Sequence, residues 1–314
     1  MFEAVELRHI SSRQLNPLLT DETEEWGREL DWDFSRSAEL VRNFADQRQL
    51  GGLALMERGE AIGYGYVVLE DRKGLIGDIY VRPAWRNSDA EIRLLRAVLD
   101  ILIGAPHMHR IESQLMLVDP ATAKALQRER FLRLFERLLM RIDARAVLPA
   151  GGNPEIRRFR VEPWSDDRLD SAATVISLAY DGHVDALIND QYRTFTGARQ
   201  FLDNIVQFPG CGAFFRPASF VAQDLVTGSV AGVVLTSFVA DETAHITQLC
   251  VTPHAKGRGL GYELLRQAMG ALRAAGAKRI SLTETAGNRG AVELYRRCGF
   301  VEMRRFFAYV WEAD

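Results

Sequence analysis

The sequence predicts an α/β chain with mixed sheets, built from two tandem copies of one domain, and three observations carry that expectation. The chain has 314 residues, more than one ordinary hydrophobic core organises, and its 47% hydrophobic and 26% charged composition is that of a globular protein. Around 245–275 a strand-like stretch runs into a glycine-rich loop and then into a helix-like stretch, the unit from which α/β folds are assembled. Finally, the sequence repeats itself. Gly77-Asp78-Ile79-Tyr80-Val81-Arg82-Pro83 has the design of Thr247-Gln248-Leu249-Cys250-Val251-Thr252-Pro253, and Val81, Pro83 and Leu94-Leu95 stand 170 residues before Val251, Pro253 and Leu264-Leu265. Ile111 and Phe131 stand 169 before Ile280 and Phe300.

A boundary falls in the turn-rich run Leu148-Pro149-Ala150-Gly151-Gly152-Asn153-Pro154, which gives a first domain at 1–149 and a second at 154–314. In the second, the pattern predicts a strand at 156–162, helices at 167–179, 184–192 and 198–207, and strands at 219–223, 231–239 and 245–251. A helix at 262–275 follows, with Leu264, Leu265, Ala268, Met269 and Leu272 on one stripe and Gly276 ending it. A strand at 280–285, a helix through Ala291 and a strand at 300–311 complete a mixed sheet. Gly299 suits a left-handed position after that last helix. In the first copy, Trp26, Leu30 and Phe34 recur at helical spacing; they read either as an inward-packing helix face or as an aromatic lid for a cationic substrate.

The loop His254-Ala255-Lys256-Gly257-Arg258-Gly259-Leu260-Gly261 is the strongest chemical signal. Glycines let backbone N–H groups approach a ligand, and the following helix points its unpaired N–H groups and positive dipole end at the same place, so the expected ligand is an anion such as a pyrophosphate. The glycines are spaced by two, which departs from the dinucleotide fingerprint, and Tyr262 follows where a Walker loop needs Lys and then Ser or Thr.

This loop resembles the acyl-CoA-binding motif of the GNAT acetyltransferase superfamily, with Lys256 in the place of Gln or Arg. The later run Asn288-Arg289-Gly290-Ala291-Val292-Glu293-Leu294-Tyr295-Arg296-Arg297-Cys298-Gly299-Phe300 is similar to that family's Asn, Ala, Leu-Tyr, Gly-Phe pattern. The resemblance implies acetyl-CoA as co-substrate. Its anionic part would be held by Lys256, Gly257, Arg258, Gly259, Leu260 and Gly261 with Asn288, and its pantetheine arm would pair with the backbone of Leu249, Cys250 and Val251. It also implies that Tyr295 protonates the departing thiolate, a role a phenol with pKa near 10 suits, although the same position serves a core aromatic. Direct transfer to an amine further needs a proton acceptor, for which His245 and Glu284 are the candidates. Cys250 reads as a small core hydrophobe rather than a nucleophile.

The first copy keeps the frame and loses these residues. Asn87, Asp89 and Glu91 replace Gly257, Gly259 and Gly261, and Leu126 or Gln127 replaces Tyr295, so it is expected to be degenerate, in an arrangement that resembles the tandem domains of mycothiol synthase. Three functions remain in view: N-acetylation of a small-molecule amine, N-acetylation of a protein lysine or N-terminus, and non-catalytic acyl-CoA binding. Asp181, His183, Asp185, Asp190 and Tyr192 are acids and rings available to hold an amine. A net charge of −3 gives no reason to expect a nucleic-acid or membrane partner, no segment has the length and apolarity of a membrane span, and the start lacks a leader pattern. Three cysteines, Cys211, Cys250 and Cys298, without metal-ligand spacing, suggest the reducing cytoplasm and no metal. A monomer or homodimer is expected.

Overall fold

In the computed structural model, which describes residues 2–130, 132–207 and 212–313, Phe131 and Cys211 lie outside the described residues. The chain divides into two compact units, Met1–Arg137 with Arg305–Asp314, and Leu138–Arg304. The divisions fall inside two strands rather than in the turn-rich run at 148–154, which lies wholly within the second unit.

The first unit carries strand β1 (Glu3–Glu6), helices α1 (Ser12–Leu30) and α2 (Ser35–Asp46), strands β2 (Gly51–Glu57), β3 (Glu60–Glu70) and β4 (Lys73–Val81), helix α3 (Ala90–Ile103), strand β5 (Arg110–Leu115) and helix α4 (Pro120–Arg130). Strand β6 (Arg133–Asp143) leads into the second unit. There follow β7 (Phe159–Pro163), α5 (Leu169–Ala179), the one-turn α6 (Asp185–Ile188), α7 (Phe195–Gln207) and the short β8 (Ala213–Phe214). Next come β9 (Phe220–Asp224), β10 (Val230–Ala240), β11 (Thr243–Val251), α8 (Leu260–Ala274), β12 (Arg279–Thr285), α9 (Arg289–Arg297) and β13 (Val301–Glu312).

The strand order within each unit is mixed, parallel and antiparallel. In the first unit the order is β1-β2-β3-β4-β5-β13, antiparallel except for the β4/β5 pair. In the second it is β6-β12-β11-β10-β9-β7, with β8 beside β10 and the β11/β12 pair parallel. The crossover between each parallel pair is a helix, α3 or α8, whose apolar stripe covers the sheet. Leu94, Leu95, Val98, Leu99 and Leu102 of α3 are completely buried, as are Leu264, Leu265, Ala268 and Leu272 of α8. Each such leucine contributes about 1.5–3 kcal/mol of transfer free energy.

Three local expectations change. The segment 184–192 is not one helix: Asn189 is extended and its side chain accepts from the Gln191 backbone N–H, ending α6 after one turn and starting a 3-10 turn over Asp190–Arg193. The strand expected from 156 starts at Phe159, because Asn153 caps a 3-10 turn over Pro154–Arg158 with proline at its first position. In the first unit α1 stops at Leu30, where Asp31 turns left-handed at φ +55°. Phe34 therefore reaches Trp26 by a turn rather than by helix spacing, and the rings stack 4.9 Å apart. The inward-packing reading of this aromatic cluster holds, since Trp26 and Phe34 are both buried.

Candidate active site

The glycine loop makes the turn that an anion cradle needs. Gly257 and Gly259 sit at φ +76° and +82°, a left-handed conformation open to glycine at little cost. Gly259 is the N-cap of α8 and no side chain caps that helix. Added side-chain carbons at Gly257 and Gly261 would meet open space, so the loop has room beside it for a ligand that its backbone N–H groups could hold. Lys256 lies against the C-terminal end of α5, its Nζ 3.5 Å from the Ala179 carbonyl oxygen. Arg258 is held by Glu155 at 2.6 Å and by the His254 carbonyl at 2.7 Å. The loop fits an anionic ligand; the pyrophosphate of acetyl-CoA suits the donor set and the space.

In front of the loop the sheet opens. Strands β11 and β12 pair from Thr243/Arg279 only as far as Ile246/Leu282, and β11 carries an irregularity at Thr247, where its register against β10 shifts. Beyond that point Leu249, Cys250 and Val251 continue to pair with β10 while Thr283–Thr285 diverges. One side of β11 is thus left for an extended ligand to join as a strand does.

Tyr295 of α9 sits at the mouth of this opening. It is 6% exposed, its ring meets Phe300 edge-on at 5.8 Å, and its hydroxyl has no hydrogen-bond partner among the described residues. Burial pushes its pKa well above the phenol range, and the charges of Glu284, Asp185, Cys298 and Cys250 push the same way. Cys250 and Glu284, both among the charges that act on Tyr295, stand on the two strands past the point where their pairing ends.

Two buried carboxylates accompany it. Glu284 accepts from the Thr285 N–H at 2.8 Å and from the Asn288 side-chain amide at 3.3 Å; Asp185 accepts from the Thr285 hydroxyl. Asp185 was one of several acids on the variable helices, and the structure selects it, whereas Asp181 is exposed. Tyr180 and Gln248 were not singled out by the sequence. The Tyr180 hydroxyl accepts from the Gln248 amide at 3.2 Å, its ring stacks on Tyr192 at 4.4 Å, and His183 meets it edge-on. Burial raises the Tyr180 pKa, with Tyr192, Cys250, Asp185 and Glu284 adding to it, so two phenols and two acids share one electrostatic neighbourhood. The alternation of β11, which turns Gln248 toward α5, was the available signal.

His245 is also buried, but its Nδ1 pairs with the Ser281 hydroxyl at 2.8 Å, back where β11 and β12 are still joined. Burial pushes the Cys250 thiol up to about 12, far from thiolate chemistry. Asn288 caps no backbone group of α9 and instead positions Glu284.

Residues 184–300 match the acetyltransferase (GNAT) family. The chain is 34% identical over 65 residues to N-alpha-acetyltransferase MAK3 of Arabidopsis thaliana, and 30% identical over 152 residues to an uncharacterized N-acetyltransferase of Methanocaldococcus jannaschii. Those matches cover 21% and 47% of this chain and 34% and 62% of the relatives. Among solved structures, a GCN5-related N-acetyltransferase from Sphaerobacter thermophilus superposes with TM-score 0.70 at 17% identity, covering 99% of this chain and 95% of that one. A tandem GNAT protein from the clavulanic acid biosynthesis pathway superposes at 0.62 with 13% identity, covering 100% and 99%. At such identities the likeness is one of fold, and it is the tandem GNAT fold that the sequence repeat predicted.

The first GNAT-like unit has the same opening and fills it. Strands β4 and β5 pair only from Lys73/Arg110 to Leu75/Glu112, with a register shift at Gly77, the counterpart of Thr247. A side-chain carbon on Gly77 would lie 2.0 Å from the Tyr66 ring, so that ring occupies the space. Asp78, the counterpart of Gln248, is buried with Glu22, and burial raises both carboxyl pKa values, that of Asp78 to about 6. Arg86, the counterpart of Lys256, is bound bidentately by Glu25 at 2.6 and 2.8 Å. Glu91, where the second unit has Gly261, is 3% exposed and accepts from Thr122 at 2.9 Å and the Asp119 N–H at 3.3 Å. Leu126 is completely buried in the core.

Proposed function

We propose that the second unit transfers an acetyl group from acetyl-CoA directly to the primary amine of a small molecule. The observation that carries this reading is the Tyr295 hydroxyl, without a hydrogen-bond partner among the described residues and in the electrostatic neighbourhood of Cys250 and of the two buried carboxylates Glu284 and Asp185. When bound, acetyl-CoA supplies an activated thioester carbonyl and a thiolate leaving group. The loop 256–261 holds the anionic end through backbone N–H groups and the α8 dipole, and Leu249 to Val251 align the arm along β11.

On the acceptor side Asp185, with the Tyr180/Tyr192 stack, attracts an ammonium into a site from which water is largely excluded. Glu284, fixed by Thr285 and Asn288, takes the proton that the ammonium must lose before it attacks. We assign it this role ahead of His245, whose Nδ1 is engaged by Ser281 where β11 and β12 are still paired. The C–N bond forms as the C–S bond breaks, Tyr295 delivers its proton to the sulfur, and the second proton that the nitrogen sheds on becoming an amide returns through solvent to Tyr295. Burial and the neighbouring acids hold the phenol in its protonated form, the form a donor needs, while making it a weaker acid, so the transfer relies on the basicity of the developing thiolate. The two buried carboxylates Glu284 and Asp185 support an amine acceptor, which we take to be a small molecule; the name of the Arabidopsis relative favours a polypeptide N-terminus as the second reading.

Thiol release from acetyl-CoA, measured against small amines and against short peptides, tests both. Turnover with small amines supports the proposal and turnover with peptides alone replaces it by the second reading. Acetyl-CoA binding without turnover on any amine would leave a non-catalytic acyl-CoA-binding protein.

A further inference from the structure

Two buried phenols of the second unit carry a proton that no acceptor takes among the described residues. Tyr295 is one, and the other is Tyr180, which follows α5 as its C-cap. Tyr180 is 9% exposed and its ring is clamped. It stacks on Tyr192 at 4.4 Å and 20°, Tyr192 is braced edge-on by Phe201 at 4.9 Å, and His183 meets the Tyr180 ring edge-on at 5.2 Å. A ring held in this way fixes the place of its oxygen. That oxygen accepts a hydrogen bond from the Gln248 side-chain amide at 3.2 Å. A phenol has lone pairs to accept with and one proton to give, so Gln248 uses an acceptor position and leaves the proton unassigned. A buried O–H without an acceptor is uncommon and calls for a reason.

The place of Tyr180 along β11 supplies one. The loop 256–261 lies past the end of β11, so a donor anchored there whose arm runs back beside Val251, Cys250 and Leu249 brings its thioester to Gln248. Gln248 stands one residue after the irregularity at Thr247, past the point where β11 and β12 part, and Tyr180 packs in the same core cluster as Cys250. We propose that Tyr180 is a catalytic residue of the transfer, its hydroxyl, oriented by Gln248, donating a hydrogen bond to the thioester carbonyl oxygen. The inference rests on the acetyl-CoA reading above and adds the group that meets the negative charge developing on oxygen. As the nitrogen lone pair forms the C–N bond, the carbonyl π pair moves onto oxygen. It returns as the C–S bond breaks and that bond's pair leaves on sulfur, which takes the Tyr295 proton, while Tyr180 keeps its own. Chemistry separates this phenol from the acids around it. Glu284 and Asp185, both acting on Tyr180, suit an ammonium, whereas an O–H whose oxygen already accepts from an amide has a proton to offer to an oxygen. The amide polarises that O–H and strengthens the bond it gives. Burial keeps the phenol protonated, and a clamped donor needs no reorganisation as charge develops.

The test reads the carbonyl itself. Infrared difference spectra of acetyl-CoA isotope-labelled at the acetyl carbonyl, bound to the full chain, give a band whose frequency falls when the oxygen accepts a hydrogen bond. Tyr180→Phe keeps the ring and its stack on Tyr192, and is expected to move that band to higher frequency, whereas Tyr295→Phe leaves it in place. Turnover in the thiol-release assay is expected to fall about 10²-fold in Tyr180→Phe, the scale of one lost oxyanion donor, with kcat and kcat/KM lowered equally. Tyr180→Phe also strands the Gln248 amide, and the double variant Tyr180→Phe with Gln248→Leu removes that amide too. It should be as slow as Tyr180→Phe, and recovered turnover would trace the loss to strain and overturn the inference. An unmoved band or unchanged turnover in Tyr180→Phe, or a band moved by Tyr295→Phe instead, would overturn it and leave the acetyl-CoA reading standing. Should the unaltered protein bind no acetyl-CoA in calorimetric titration, that reading fails, and this inference with it.

Discussion

Copying one residue of the first unit into the second isolates the charge logic of the cradle. Gly259→Asp places a carboxylate at the position that Asp89 occupies in the first copy, where it too precedes the crossover helix in a left-handed turn, φ +58° and ψ 9° against +82° and 0° for Gly259. The backbone conformation is therefore one that aspartate already adopts in this chain, and the cost to folding stays within about 1–2 kcal/mol, the usual penalty for a left-handed non-glycine residue. Its side-chain carbon meets only Asn153, at 3.4 Å. The cost to binding is larger. A negative charge about 5 Å from a diphosphate bearing about two charges is opposed by about 2–7 kcal/mol for effective dielectrics of about 80 to 20. That is a loss of about thirtyfold to about hundred-thousandfold in affinity. Calorimetric titration of acetyl-CoA reads this directly, with Gly259→Asn as the neutral control of nearly equal size. Retained affinity in Gly259→Asp would refute the cradle, and equal losses in Asp and Asn would show that space rather than charge excludes the ligand.

Four further outcomes follow from the same structure. Tyr295→Phe removes a hydroxyl that has no partner, so thermal stability should change by less than about 1 kcal/mol while turnover falls about 10²- to 10⁴-fold at unchanged acetyl-CoA affinity; unchanged turnover removes Tyr295 as the proton donor. Cys250→Ala should keep turnover within a few-fold and Cys250 should resist alkylation at pH 8, because its thiol is raised to about 12; rapid alkylation would contradict its burial. Gly77→Ala should destabilise the first unit by about 1–3 kcal/mol through the clash with Tyr66, and pairing it with Tyr66→Ala should relieve the overpacking, a rescue whose absence in thermal unfolding would disprove the contact. Asp78 is raised by burial from 3.8 to about 6, so its contribution is full below pH 4 and is lost as pH rises through 6, by about 3 kcal/mol for a two-unit shift; Asp78→Asn should flatten stability between pH 4 and 6, and an unchanged slope would place the effect elsewhere.

Local chemistry was legible wherever it is written in adjacent residues. The positive φ of Gly257, Gly259, Gly276 and Gly299, the apolar stripe of α8 and the repeated strand–loop–helix unit all follow from residue type and period, because backbone freedom and side-chain direction act within a few residues. The same is true of the substitutions that close the first cradle, Asp89 and Glu91, whose character could be read before any contact was known. Where local signals competed, the reading slipped. Asn189 broke a helix that the apolar pattern of 184–192 suggested, and Asn153 with Pro154 replaced the start of a strand, since a side chain that captures a nearby N–H wins over a weak period.

What only the tertiary structure decided are the pairings between distant residues. That Asp185, and not Asp181, joins Glu284 near Tyr295 depends on α6 meeting the end of β12, 100 residues away along the chain. That His245 is engaged by Ser281 depends on where the parallel pairing of β11 and β12 stops. That Tyr66, Glu22 and Glu25 fill the first opening, and that Gln248 meets Tyr180, depends on the same long-range assembly. Residue type and spacing specify what a segment can do by itself; which segment it then faces is set by sheet register and core packing, and those are properties of the whole chain.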